Sequence, residues 1–342
     1  MKEFETKELD TSSFKKLGGG GFATIFKVPP KKLAEELNRE VAIKLFKTDK
    51  LGGNDMAMQA HIETLDKIRS DIDKTTPEGA NQRSIIDNNM TWPKALVFKG
   101  GHFCGYVMNL IPPKYFYTYT ENGEQMTKES NLGFRLGTDE IMIRRGQSTI
   151  NRLGRFKLSV DLIHIAATMH KLGIILGDLS PNNIMVYVDK DDQKFNSIFI
   201  IDVDSFRKSN TAHPMQVPHT PGWFPPECWA SKEQARAVRK SGGDENEILK
   251  FEKRSFTQNY QTDTYKICLA VFRLYHMGKE RSVINTPSSS PQAIKLMKEE
   301  VGEEFATLIV RGIGEDPKNR PTAQELYDYV VSRSKKRKSE VD

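Results

Sequence analysis

Cysteine is scarce in this sequence: 342 residues hold three, Cys104, Cys228 and Cys268, far apart and in no CxxC spacing. That excludes a disulfide framework and a cysteine-built zinc site, and it fits a reducing cytosol. Long apolar runs are missing as well; none approaches the roughly 20 residues that cross a bilayer. The N-terminal stretch MKEFETKELD has no apolar segment of the secretory kind. The chain is therefore expected to be cytoplasmic, with no membrane partner. There is no internal repeat, and no basic stripe interleaved with aromatics marks a nucleic-acid surface.

What is present reads as an ordered protein. Hydrophobic residues make up 37% and charged residues 28%, a balance that argues against wholesale disorder. The length exceeds what one small core usually holds, so two lobes are expected. A net charge of +6 suits a phosphate-bearing ligand without identifying one. The run Lys335–Lys338 (KKRK) reads as a solvated tail, with a nucleic-acid arm or a targeting signal as the alternative.

Periodicity divides the chain. FKKLGGGGFATIFKV (14–28) reads as strand, glycine turn, strand, and EVAIKLF (40–46) as a buried strand. NDMAMQAHIETLDKIRSDI reads as a helix capped by Asn54 or Asp55, with Met58, Ile62 and Leu65 on one face. Two strands around 95–98 and 103–110, joined by a Gly100–Gly101 turn, complete a half that closes at Pro112–Pro113. Residues 114–151 are polar without a clear period. A helix is expected over 152–172, with Phe156, Val160, Ile163, Ala167 and Met169 or His170 buried. Short strands follow at 184–188 and 198–201, and then helices, interrupted by a charged, turn-rich insert at 231–258. The expectation is an α+β chain, with a strand-rich N-lobe over 1–111, a helical C-lobe over 112–333 and a basic tail over 334–342.

Several residue groups carry possible chemistry, and each alone has a bland reading. Gly18, Gly19, Gly20 and Gly21 let backbone N–H groups approach phosphate oxygens, but glycine turns also join many hairpins. This loop opens no helix and lacks a GK[ST] ending, so it is neither a Walker A loop nor a dinucleotide fingerprint. Lys44 ends VAIK on a strand expected to be buried, where an ammonium needs an anionic partner. Glu63 on the following helix is one candidate, and a solvent-facing Lys44 is the alternative. Asp178, Asn183 and Asp202 lie on two loops, in GDLSPNN and IDVD. A carboxylate can take a hydroxyl proton, while a carboxylate and an amide oxygen can hold Mg²⁺ on a polyphosphate; singly, each could be an Asx turn.

The order of these motifs resembles that of eukaryotic-like (Hanks-type) protein kinases along nearly the whole chain. LGGGGFATI stands at the phosphate loop, VAIK at the lysine strand, YVMNLI at the strand into the hinge, GDLSPNN at the catalytic loop and IDVD at DFG. HTPGWFPPE resembles the end of an activation segment, DTYKICLAVFRL the anchoring helix that begins at Asp263, and EDPKNRPTAQEL the closing element. LGD with IDVDSF resembles a divergent bacterial and phage-associated branch.

That resemblance implies a two-lobed fold and serine/threonine kinase activity, with ATP and Mg²⁺ (or Mn²⁺) as cofactors, protein substrates, and autophosphorylation. Gly18–Gly21 would cover the phosphates. Ile25, Ala42 and Met185 would enclose adenine, Met108 would be the gatekeeper, and the backbone at Asn109 and Leu110 the hinge. Lys44, held by Glu63, would bind phosphates. Asp178 would be the base, supported by Thr220, and Asn183 and Asp202 the metal ligands. Asp204, where a glycine would hinge, either adds a carboxylate to the metals or is solvated. Glu227 and Arg320 would form a buried pair. Leu176 and Gly177 replace the histidine and arginine of HRD, and Ser180 replaces the catalytic-loop lysine, losses that weaken charge stabilisation. The alternatives are a pseudokinase scaffold that binds ATP, and a small-molecule kinase.

Overall fold

The computed structural model describes residues 1–7, 14–28, 40–276 and 291–339. It divides the chain into two compact units, Met1–Pro113 with Phe199–Gln216, and Lys114–Ile198 with Val217–Asp342. The segment 199–216, expected with the helical half, thus packs with the first unit.

The first unit is built on a six-stranded sheet. Its strands are β1 (Lys2–Glu5), β2 (Lys15–Gly19), β3 (Ala23–Lys27), β4 (Val41–Phe46), β5 (Pro93–Lys99) and β6 (His102–Asn109), in spatial order β1-β5-β6-β4-β3-β2. All neighbours are antiparallel except β1, which runs parallel to β5. Alternation along β4 serves both faces. Val41 and Ile43 join Val28, Ala95, Val97 and Val107 on one side. Ala42 and Phe46 join Tyr106, Met108 and Leu96 on the other, where helix α1 (Asp55–Ser70) adds Met58 and Ile62. With both faces covered, β4 reads as an almost continuous apolar run, which is why VAIKLF shows no alternation.

Strand β1, a single helical turn at Thr48–Leu51 and helix α2 (Pro77–Asn89) go beyond the expectation of one helix in this unit. Thr76 caps α2 by accepting from the Gly79 N–H, and Pro77 opens its first turn, where a missing N–H costs nothing. The apolar contribution of α2 is little more than Ile85 and Ile86; so thin a stripe explains why periodicity did not reveal it.

The second unit is mainly helical. The polar stretch after residue 114 contains a hairpin, β7 (Phe116–Glu121) and β8 (Glu124–Glu129), turned by Asn122 (φ 52°) and Gly123 (φ 83°). Both turn residues are left-handed, the conformation that an Asn-Gly hairpin turn requires. Helix α3 (Arg152–Lys171) buries Ile163, Ala167 and Met169 as expected, with Leu158, Leu162, Ile165 and Ala166 besides. Phe156 and Val160 are only half-buried. Strand β9 (Ile184–Tyr187) follows.

The expected turn-rich insert is instead a pair of helices, α4 (Pro226–Lys240) and α5 (Glu245–Ser255). They pack together and are bridged by Arg239 and Glu252 at 2.7 Å. Helix α6 (Tyr260–His276) packs on α3, α7 (Pro291–Val301) and α8 (Glu303–Gly312), and α9 (Ala323–Ser339) packs on α3. Gly312 permits the contact between α6 and α8, since a methyl there would collide with Cys268. The backbone of the basic run continues α9; residues 340–342 of the expected tail lie outside the described residues. No described helix is long and apolar enough to cross a membrane.

Candidate functional site

Register brings the polar residues of the first unit together. Lys44 on β4 lies opposite Ile25 on β3 and Tyr106 on β6, so all three share one face. Strand β6 can approach Lys44 closely because residue 105 is glycine; a side chain there would strike the Lys44 carbonyl. Lys44 is 7% exposed, which excludes the solvent-facing reading.

Its ammonium donates to Asp202 Oδ1 at 2.9 Å and to Asp204 Oδ1 at 2.6 Å. Tyr106 Oη donates to the same Asp204 oxygen at 2.9 Å. Burial opposes the lysine's charge, but Asp204 and Asp202 outweigh it and raise its pKa above the ordinary value. Burial likewise penalises Asp204, and Lys44 more than compensates, holding the carboxyl below its ordinary pKa. Burial, then Asp204 and Asp202, push the Tyr106 phenol well up, so it stays a donor.

These carboxylates sit on a tight turn. Asp202 is left-handed (φ 58°, ψ 43°) and opens a short 3₁₀ turn, Val203–Ser205. Asn122 is the other described non-glycine residue with positive φ. For an aspartate this conformation costs on the order of 1–2 kcal/mol. It is fixed by Ser205, whose N–H and Oγ both donate to the Asp202 carbonyl, at 3.1 and 3.0 Å. The left-handed residue is thus Asp202, and Asp204 needs no glycine-like backbone. Asp204 is also not solvated: its side chain is 17% exposed, against 43% for Asp202. Beneath the turn, His61 Nε2 and His213 Nε2 lie 3.1 and 2.7 Å from the Asp204 carbonyl, with the rings 4.6 Å apart. Burial, then His213, lowers the His61 pKa to about 4.

The expected Lys44–Glu63 pair is not formed. On α1 the inward stripe is Met58, His61, Ile62 and Leu65. Glu63 falls outside that stripe, is exposed, and accepts from Gln59 Nε2 at 3.0 Å. His61, two residues earlier, is what α1 directs toward the Asp204 turn. Glu63→Ala is accordingly expected to change the unfolding free energy by less than about 0.5 kcal/mol, measured by denaturant titration. A loss of several kcal/mol would restore Glu63 as the partner of Lys44.

Of the other residues singled out, Ile25, Ala42 and Met108 line the face that carries Lys44. Asn109 is buried, its amide nitrogen donating to the carbonyls of Asp87 and Met90; Leu110 is half-buried. Around Gly18, Gly20 and Gly21 an added Cβ would meet nothing within 4 Å, and none of the four loop glycines has positive φ. Neither packing nor backbone conformation requires glycine at these three positions. The feature they leave is open space against bare backbone.

In the second unit, Asp178 lies on the loop after Gly177 (φ 65°). Thr220 Oγ1 donates to Asp178 Oδ1 at 3.0 Å, and Asn183 Nδ2 donates to the Asp178 carbonyl at 2.8 Å. With its nitrogen so committed, Asn183 has its amide oxygen as the ligand atom for a cation. Ser180 is buried, and its carbonyl accepts from the Asn183 N–H. Met185 is fully buried on β9 and bridges to Asn131.

Helix α6 holds this loop from one face through buried polar residues spaced three and seven apart. Asp263 accepts from the Leu176 N–H at 2.7 Å and pairs with His170 at 3.1 Å. Lys266 donates to the Gly177 carbonyl, and Arg273 to the Gly222 carbonyl in the turn after Thr220. The expected Glu227–Arg320 pair is present, two-pronged at 2.6 and 2.9 Å.

Among the described residues no group of three or more His, Cys, Asp or Glu side chains is arranged to hold a metal. The oxygen donors suited to a hard cation are the half-exposed Asp202 carboxylate and the Asn183 amide. A cavity of about 440 Å³ in the second unit, bordered by Ala167, Lys171, Tyr260 and Pro321, includes none of Asp178, Asn183 or Thr220. Tyr106, His61, His213 and Lys266 were not singled out from sequence. Tyr106 had a signal in its place opposite Lys44 once the strands are paired; the other three had none. No model of a protein family matches the chain, and no curated protein matches it in sequence.

Proposed function

We propose that the chain is an ATP-dependent serine/threonine protein kinase with a two-lobed kinase fold, acting on protein substrates and on itself. The observation that carries this reading is the hydrogen bond from Thr220 to Asp178. Two residues 42 positions apart, which the resemblance pairs as a base and its supporting hydroxyl, meet at 3.0 Å. Thr220 holds Asp178 Oδ1, and Oδ2, 3.4 Å from the Asn183 amide nitrogen, is the oxygen that would orient a substrate hydroxyl and take its proton.

Each remaining element has a role under this reading. The open backbone at Gly18, Gly20 and Gly21 suits phosphate oxygens, and the apolar face at Ile25, Ala42 and Met108 suits a purine. Asp202 in the first unit and Asn183 in the second are each the residue that the resemblance makes a ligand of Mg²⁺, whose part is to neutralise charge on the β- and γ-phosphates. Asp204 acts as the counter-charge that keeps Lys44 protonated and in place. Gly20→Ala tests the loop. It is expected to stabilise the nucleotide-free protein by roughly 0.4–1 kcal/mol, because the site tolerates a methyl, while weakening the thermal shift caused by Mg·ATP. An unchanged ATP-induced shift would remove the loop from the site.

A second reading, an ATP-binding pseudokinase, draws on one observation: the Lys44 ammonium is engaged by two carboxylates, which a nucleotide must displace in part. Transfer of labelled γ-phosphate from Mg·ATP separates the two. Phosphoprotein made by the wild type and lost in Asp202→Ala supports the kinase. No transfer, with ATP still raising the melting temperature, supports the scaffold, and phosphate appearing only on a metabolite supports a small-molecule kinase.

A further inference from the structure

Lys266 is fully buried (0% exposed) inside a largely apolar helix, where burial lowers its pKa and the nearby Asp263 and Asp178 carboxylates oppose that shift. Its ammonium donates to the Gly177 carbonyl at 2.6 Å and to Gln258 Oε1 at 3.1 Å. Gln258 in turn donates to the Val217 carbonyl at 3.2 Å, and its amide nitrogen lies 3.4 Å from His219 Nδ1. One charge therefore ties the residue before Asp178 to the segment that leads into Thr220.

The tie falls where the loop most needs fixing. Gly177 is left-handed, so the direction of its carbonyl sets the direction in which Asp178 leaves the turn. Apart from Lys266, that carbonyl accepts the Leu179 N–H at 2.9 Å. The neighbourhood is adapted to a cation. Burial, then Lys266, lowers the His219 pKa to about 2. A neutral His219 can donate from Nε2 to the Thr257 carbonyl, 3.1 Å away, and present Nδ1 as an acceptor to Gln258. Keeping an ammonium in such a place is costly unless it serves as a tie.

We propose that Lys266 is a positioning residue, which holds the Asp178 carboxylate in register with Thr220 from behind the loop. The role rests on the kinase reading above. It supplies a buried hydrogen-bond tie for a loop in which Gly177 and Ser180 carry no charge. It differs from that of a lysine touching the transferred phosphate, because Lys266 is sealed from solvent and acts through the Gly177 carbonyl.

The test uses the full chain and compares wild type, Lys266→Met and Lys266→Arg, with Mg·ATP and a generic basic protein as acceptor. Lys266→Met is expected to lower kcat about 10²-fold, the scale of a misplacement near 1 Å, while KM for ATP stays within about threefold. Lys266→Arg is expected to recover at least tenfold of the loss. A kcat for Lys266→Met within threefold of wild type, or a KM for ATP that rises in step with the loss, overturns the proposal.

Amide hydrogen exchange provides a readout independent of turnover. Residues 177–183 and 217–223 should exchange at least tenfold faster together in Lys266→Met, with α6 still protected. Unchanged exchange also overturns the proposal. Faster exchange in a chain whose wild type transfers no phosphate would sustain the tie and sink the kinase reading. If Lys266→Met fails to fold, Gln258→Met, which leaves the ammonium on Gly177, is expected to lower kcat at least threefold, and an unaltered kcat there overturns the tie.

Discussion

Lys44→Met is expected to remove roughly 3–5 kcal/mol of unfolding free energy, the cost of leaving one member of a buried ion pair uncompensated. The loss should centre on Asp204 and not on Asp202. Asp202 is 43% exposed and can turn to water, whereas Asp204 is 17% exposed and would retain only Tyr106 of its two side-chain donors. Adding Asp204→Asn should therefore restore most of the stability without restoring phosphate transfer, a coupling that a double-mutant cycle reads directly.

Acid should narrow the gap between the two proteins. In the wild type Asp204 titrates below its ordinary range, so its contribution is complete above an unfolded pKa of about 3.9 and is lost as pH falls through the folded value. In Lys44→Met the largest influence, burial, is opposed only by the Tyr106 and backbone hydrogen bonds, and that pKa rises. The folded variant then binds more protons than the unfolded chain, and its stability should rise as pH falls from 7 toward 5. Denaturant midpoints for both proteins across that range should converge; parallel profiles would mean that Asp204 does not depend on Lys44.

Asp178→Asn should lower phosphate transfer by about 10²–10⁴-fold, the usual worth of a positioned general base, while changing stability by less than about 1 kcal/mol. The stability should hold because the new amide oxygen can still accept from Thr220 and the shorter bond from Asn183, at 2.8 Å, goes to the main-chain carbonyl; what is lost is its long 3.4 Å contact with Oδ2. Binding should survive as well, so the ATP-induced thermal shift is expected to remain. A variant that folds, binds ATP and turns over as fast as wild type would remove Asp178 from the chemistry. A variant that fails to fold would give the carboxylate a structural role instead.

Much of the architecture was legible because burial leaves a periodic trace. The α1 stripe and the long helix α3 can each be read from apolar spacing, and the strand carrying Lys44 from a short continuous apolar run. The hairpin at 116–129 is not evident from apolar spacing although its Asn-Gly turn is present, since β8 is exposed along its whole length and the alternation of β7 is tyrosine against threonine. Helices α4 and α5 were missed because their exposed faces are densely charged, and α2 because two isoleucines make a poor stripe. The site divided along similar lines. Aspartates, asparagine and threonine in short loop motifs could be named, since their chemistry is local. The partner of Lys44 could not, because it depends on which way a helix turns. Glu63 had the right charge but the wrong face of α1, and the counter-charges came from a turn far along the chain.

The first unit is not a contiguous piece of polypeptide. The chain leaves it after Pro113, returns for Phe199–Gln216 and leaves again, and the carboxylate that holds Lys44 most closely lies 160 positions beyond it. A gene fragment ending at residue 113 would encode the whole six-stranded sheet and still bury an ammonium with neither of its aspartates. The unit's modularity is therefore only apparent: a geometric half of this protein is not a genetic half. Its sheet can reach its native electrostatics only after the ribosome has passed residue 204.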